Sequence, residues 1–419
     1  MQTQTNNDFN KMSKKNKNKN KTVNIDEVFQ FKYLNPKTLY LTMRMPTVSL
    51  NEHIICYYIK KWAEENNVKF ESDLLGNITL TKGELSDGEF YPCVTAHLDT
   101  VQYNSTYLIE KKKLMPIKIR ERKSDGKHIL FAEHMGIGAD DKAGVAICLS
   151  LFDKFDKLKA FFPVGEEIGC FGTDYFLGSK NASFFNDVAY VIGFDSPEFN
   201  RSAWASNGVK LFNTEWFNKN LKDVASSNGV FQFRDEPYTD VYMIRSATEL
   251  ICMNFGNGGY DAHTNDEYLV LEECDAACKL GIDVINSLGN VQHKLEVKQI
   301  TNKDKDDAFF TNYVKANGGY QCNHTRDNIS GRMNVNDFMT MKTKLALKLQ
   351  MLGVDTKEIE ECFDWSCGNW HHFLPIDLFK EDFEINLEEK EMVESDKTEE
   401  TETKTTESKE EEVCVTSKN

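Results

Sequence analysis

Residues 159–167 read KAFFPVGEE: an apolar run, a Pro-Val-Gly break, then two adjacent glutamates. A short apolar run bounded by turn residues predicts a buried strand. Two acids straight after it predict a polar cluster at the strand's carboxyl end. The same grammar recurs on either side. Residues 91–97 read YPCVTAH and close on His97, while 189–195 read AYVIGFD and close on Asp195. Around them, helical spacing marks residues 50–67, 142–155 and 271–288, and residues 74–83 (LLGNITLTKG) and 249–256 (ELICMNFG) read as further strands. Strands alternating with helices predict an α/β fold, with a mostly parallel central sheet covered by helices on both faces.

In open α/β sheets, ligand sites gather outside the carboxyl ends of the strands. His97, Glu166, Glu167 and Asp195 fall at such ends. Asp140 opens a helix, and His263 lies in the Gly-rich loop GNGGYDAHTNDE at 256–267. Each has an ordinary reading when taken alone. A single His near a strand end is usually structural, a Glu pair is common on surfaces, and Asp140-Asp141 before Lys-Ala-Gly could simply cap a helix. Together they form a set of another kind. Zinc takes His nitrogen and carboxylate oxygen, and two zinc ions about 3.5–4 Å apart need a bridging carboxylate with terminal ligands on each side. His97, Asp140, Glu167, Asp195 and His263 supply those parts. Asp99, two residues past His97, can accept the other imidazole N–H and fix the tautomer. Glu166 is then left over as a general base. The metals expected are two Zn2+, with Co2+ or Mn2+ as alternatives.

The net charge of −16 argues against nucleic acid as the main partner, because phosphate binding needs a basic surface. No apolar stretch approaches the ~20 residues that span a bilayer, so no membrane partner is expected. The polar N-terminus lacks an apolar signal core, which predicts a soluble, cytoplasmic protein with its eleven cysteines reduced. Residues 1–22 hold six Lys and almost no apolar residues, and 381–419 are a Glu, Lys and Thr tail; both read as disordered. Residues 23–290 form the main domain in this reading, and 291–380 a helical C-terminal extension. That extension has helical patterning at 334–352 and a Cys/His-rich end, CFDWSCGNWHHF. Cys322, His324, Cys362, Cys367, His371 and His372 could build a structural zinc site, against the plainer reading of buried thiols and aromatics.

AHLDTV, GIGADDKAG, PVGEEIGCFG, GFDS and YDAHTNDE, in that order, resemble the di-zinc exopeptidases, the superfamily of bacterial and vacuolar aminopeptidases, peptidase T and the glutamate carboxypeptidases. The HLDT and GADDKAG segments look most like peptidase T. The resemblance runs from about residue 40 to about residue 290. It implies that one zinc takes His97, Asp140 and Asp195, and the other Asp140, Glu167 and His263, with Asp140 bridging. It also implies Glu166 as general base, Asp99 as partner of His97, and hydrolysis of short peptides by a zinc-bridged hydroxide. One departure is the span between Asp195 and His263. Peptidase T and its carboxypeptidase relatives insert a lid domain there, whereas only 67 residues intervene here. The segment 238–264, with Thr239-Asp240 ahead of a helix, a strand and the last His, instead resembles lidless zinc aminopeptidases.

The leading expectation is therefore an exopeptidase that acts at the free N-terminus of short peptides. A dipeptidase or tripeptidase, or an N-acyl amino acid deacylase, on the same centre is the alternative; Arg201 and Arg245 would favour it if either reached the cleft. A non-catalytic binding module of the same fold, or a single-zinc cyclase, fits less well, because a complete ligand set and a base are present. Side-chain preference and oligomeric state are not legible.

Overall fold

The computed structural model describes residues 30–101, 108–109 and 113–301. The expected basic arm, the helix at 334–352, the Cys/His-rich segment and the acidic tail lie outside the described residues.

Four strands form the centre of the main sheet: β3 (Tyr91–Thr95), β6 (Leu158–Phe162), β7 (Val188–Ser196) and β11 (Cys252–Gly256). They run parallel in the order β6-β3-β7-β11. Their residues are buried almost throughout, as expected of parallel strands covered on both faces. The flanks turn antiparallel. On one side lie β2 (Ile78–Lys82) and β1 (Lys69–Ser72). On the other are β8 (Arg201–Ser206), β9 (Val209–Lys210) and β10 (Gln232–Glu236), of which β10 runs parallel to β8. The α/β expectation holds, and "mostly parallel" describes the four central strands.

A second, four-stranded antiparallel sheet is absent from the sequence reading. It comprises β4 (Ile117–Glu121), β5 (His128–Ala132), β12 (Gly259–Tyr260) and β13 (Tyr268–Val270). It brings the loop carrying His263, between β12 and β13, next to the segment that leads into Asp140.

The helix Ala139–Leu151 is buried on every side except at Asp140. An all-round apolar helix belongs inside a protein. It packs on β7 and β3 and is covered in turn by the helices Pro36–Arg44 and Leu271–Leu288. Helices Phe171–Leu177 and Asp240–Thr248 pack together, the latter on β11, β7 and β8. Phe161, Phe162, Phe194 and Phe255 are fully buried between these layers. Each contributes roughly 1.5–3 kcal/mol by leaving water. Residues 291–301 continue along the main sheet: His293 donates its amide to Ala189 O at 2.8 Å, and Ile300 to Gly208 O at 2.7 Å.

Among the described residues no helix is long and apolar enough to cross a membrane.

Candidate metal centre

His97, Glu166 and Glu167 sit where a strand has just given way to irregular backbone. β3 stops at Thr95, which puts His97 two residues beyond it. β6 stops at Phe162, before Pro163, which has no amide hydrogen for the ladder. Glu166 and Glu167 therefore lie on a loop after the strand and not at its last residues, as the sequence had suggested. That loop is held from below by Asn77. Its Oδ1 accepts the Val164 amide hydrogen at 3.0 Å and its Nδ2 donates to Gly172 O at 2.9 Å. A side chain at Gly172 would begin 2.2 Å from Asn77 Oδ1, so the turn closes only around a glycine. Asp195 lies within β7, its amide held by Asn254 Oδ1 at 3.0 Å.

Asp140 and Asp141 are joined by a cis peptide bond, and neither has helical backbone angles although the surrounding residues do. Asp140 is the one residue of this helix that is not buried. His263 has a left-handed backbone, φ 66°, unusual for a residue with a Cβ and frequent at functional sites when it occurs.

The five expected ligands converge. His97 Nε2 is 3.0 Å from Asp140 Oδ1 and 3.5 Å from Asp195 Oδ1. His263 Nε2 is 3.1 Å from Asp140 Oδ2 and 2.8 Å from Glu167 Oε1. Asp140 therefore presents one carboxylate oxygen to each histidine. The triads His97, Asp140, Asp195 and Asp140, Glu167, His263 each bring their ligand atoms within 4.8 Å of one another. Burial is graded. The His97 side chain is 1% exposed and that of His263 41%, so one half-site is deep and the other faces the mouth.

Asp99 is at the centre of this arrangement but differs from expectation in detail. The nearest partner of His97 Nδ1 is the backbone carbonyl of Asp99, at 2.9 Å, with the Asp99 carboxylate at 3.5 Å. A carbonyl only accepts, so Nδ1 carries the hydrogen, and it is Nε2, toward Asp140 and Asp195, that would turn a lone pair to a metal. The carboxylate makes its short bonds elsewhere. It accepts the amide hydrogens of Glu166 at 2.9 Å and Glu167 at 3.2 Å, and the Ser49 hydroxyl at 2.6 Å. One buried acid thus orients the first histidine and fixes the backbone of both glutamates. Glu52 supports the same loop by accepting the Gly165 amide hydrogen at 3.2 Å. Glu166 is half-buried, and its Oε1 receives the Cys170 thiol at 3.5 Å.

The electrostatics are those of an anion-rich cavity. Burial, then Asp140, pushes Glu167 up to about 7; burial also lifts Asp195 to about 6, with Asp140 adding to it. Burial, then Asp195, holds Glu166 well above the usual carboxylate range. Burial opposes charge on the histidines, but Asp140 and Glu167 outweigh it at His263, raised to about 11. Asp140, Asp195 and Asp99 outweigh it at His97, raised well above the ordinary value. The crowded acids raise one another and both histidines, so the cluster draws in positive charge. Two imidazoles and three carboxylates in two overlapping triads are a donor set for divalent cations, so the residues fit a pair of metal ions.

Three further residues bear on the site. Glu267 accepts the Gly138 and Asp140 amide hydrogens. Asn257 binds Ala139 O and the Asp141 carboxylate. Lys142 is fully buried and donates to Met43 O and Met45 O, tying the helix of Asp140 to the C-terminal end of the helix Pro36–Arg44. None was singled out from the sequence. All three lie inside quoted motifs, but only the fold reveals what their side chains reach. The two arginines that could have gripped a carboxylate are otherwise engaged. Arg245 donates to the carbonyls of Lys210, Leu295 and Glu296, and Arg201 pairs with Glu236 at 2.9 Å.

No protein-family model matches the chain. A search of curated proteins also finds no match. Solved structures do match. The aminopeptidase PepT of Bacillus cereus is 14% identical with a TM-score of 0.47, over 61% of this chain and 100% of that one. A tripeptidase of Staphylococcus aureus is 11% identical with a TM-score of 0.47, over 61% and 99%. A dinuclear metal-binding peptidase of the M20 family from Bacillus subtilis is 12% identical with a TM-score of 0.42, over 60% and 97%.

Proposed function

We propose that this protein is a metal-dependent exopeptidase that removes residues from the free N-terminus of short peptides. The observation that carries the reading is the split use of Asp140, whose two oxygens face His97 and His263 at 3.0 and 3.1 Å. A carboxylate shared in this way is what a two-metal site requires. His97, Asp140 and Asp195 would hold one ion, and Asp140, Glu167 and His263 the other, zinc being the metal best suited to this mix of ligands. When bound, the metals supply Lewis-acid chemistry, polarising the scissile carbonyl and making water more acidic.

The chain's own residues do the rest. Glu166, a carboxylate with an elevated pKa beside both triads, takes a proton from the attacking water as its oxygen bonds to the carbonyl carbon. It returns that proton to the departing amine nitrogen as the C–N bond breaks. Asp99 keeps Glu166 and Glu167 in register through their amide hydrogens.

Preference for the N-terminus is supported by the small cavity beside Asp140 and Asp195. Ser196, Pro197, Asn257, Gly259, Ala262 and Glu267 complete its wall; Asp140 and Asp195 would be engaged by metal, Glu267 is engaged by backbone amides, and no basic side chain lines it. With Arg245 held by backbone carbonyls and Arg201 paired to Glu236, such a wall offers no cation to grip a substrate's C-terminal carboxylate. The test is a matched set given to the zinc-loaded protein: a free tripeptide, its N-acetylated form and its C-terminally amidated form. The first and third are cut and the second is not. Cleavage of the acetylated peptide with loss of the amidated one would overturn the reading in favour of a carboxypeptidase-type enzyme or a deacylase.

A further inference from the structure

We propose that Glu267 is a positioning residue that ties the two metal half-sites together, from the loop of His263 to the backbone of Asp140. The inference rests on the two-metal reading and adds a residue outside its ligand set. Glu267 is 3% exposed and follows His263 by four residues, on the loop between β12 and β13. Its Oε2 accepts the Gly138 amide hydrogen at 2.7 Å and its Oε1 accepts that of Asp140 at 3.2 Å.

Those two donors need an outside partner. The first N–H groups of a helix have none within it, and a side chain at the cap residue usually supplies one. Here the cap residue is Gly138, in the left-handed region at φ 66°, with no side chain to offer. Glu267 provides the acceptor from 129 residues away.

The fit is close on the other side as well. A Cβ placed on Gly136 would stand 2.7 Å from Thr264 O and 2.8 Å from Glu267 Oε2. The segment 136–140 and the loop 263–267 are thus packed together, with the Glu267 carboxylate between them. Because Asp140 presents separate oxygens to His97 and His263, a shift of its backbone disturbs both triads. A shift of the His263 loop alone would disturb one.

The test is titration of zinc into metal-free protein with a competing chelating dye, comparing parent, Glu267→Gln and Gly136→Ala. Glutamine keeps one acceptor oxygen and turns N–H donors toward the other amide. Gly136→Ala keeps every ligand residue but crowds both the Glu267 carboxylate and the Thr264 carbonyl beside His263, pressing on the contact between the two segments. Both variants weaken both zinc equivalents, by about 10–100-fold, the range seen when partners of metal ligands are lost. The melting temperature of the metal-free protein is read alongside. A merely structural role would lower it while leaving zinc affinity of the folded protein at the parent value, and that result overturns the inference. Weakening of one equivalent alone overturns it too. If Glu267→Gln does not fold, Gly136→Ala carries the test. If the parent binds no zinc, the two-metal reading itself falls; if the parent binds two and both variants match it, only the inference on Glu267 falls.

Discussion

Asp140 is the residue on which both triads depend, because its two oxygens serve different histidines. Asp140→Asn removes one anionic oxygen and sets an amide nitrogen against one of the sites. Both metals are expected to be lost together, as read by elemental analysis after dialysis; retention of one would show that Asp140 is not shared. The adjacent glutamates are expected to separate cleanly. Glu166→Gln keeps fold and metal but loses about 10²–10⁴-fold in turnover, since the amide takes no proton. Glu167→Gln, altering the acid 2.8 Å from His263 Nε2, weakens metal binding instead. Exchanged phenotypes would reverse the assignment within the pair. At this scale the residues that converge were legible, because imidazole and carboxylate after buried strands stand out in the sequence. The role of Asp99 was only partly so. That its carbonyl lies closest to His97, while its carboxylate gathers the Glu166 and Glu167 amides, follows from the path of the backbone, which no residue type encodes.

At the scale of elements, period and apolar runs found the central strands and the helix Leu271–Leu288 with its ends. They misplaced the ends of β6 and β11. The run after 158 stays apolar through Val164, but Pro163 stops the ladder, and Glu249–Ile251 belong to the turn that follows the helix Asp240–Thr248. The second sheet was missed because its strands are short and join segments about 140 residues apart, Leu130 pairing with Leu269. Arg245 gives the element-scale prediction. Its side chain is 1% exposed and joins the helix Asp240–Thr248 to the segment after residue 291 through Leu295 O and Glu296 O. Arg245→Met keeps the bulk but leaves buried carbonyls unpaired. It is expected to cost on the order of 3 kcal/mol in urea denaturation, with zinc affinity of the folded protein unchanged. A change below about 0.5 kcal/mol would show that these bonds do not hold the segment.

For the whole molecule, composition drew the distinction between a core-forming body and polar ends. Removal of residues 1–22 and 391–419, too poor in apolar residues to pack, is expected to leave melting temperature and peptide hydrolysis nearly unchanged. A drop of several degrees in melting temperature on removing either end would refute it. The central sheet was legible because strands buried on both faces must be apolar along their whole length. The small sheet and the Glu267 contact were not, since both arise only once distant segments meet. At the carboxyl ends of its strands this sheet is expected to assemble a two-metal centre. The most direct measurement is the metal content of the purified chain after reconstitution with excess zinc and removal of the free ion. Two equivalents per chain are expected, falling to none in Asp140→Asn. One equivalent or fewer in the parent protein would contradict the account.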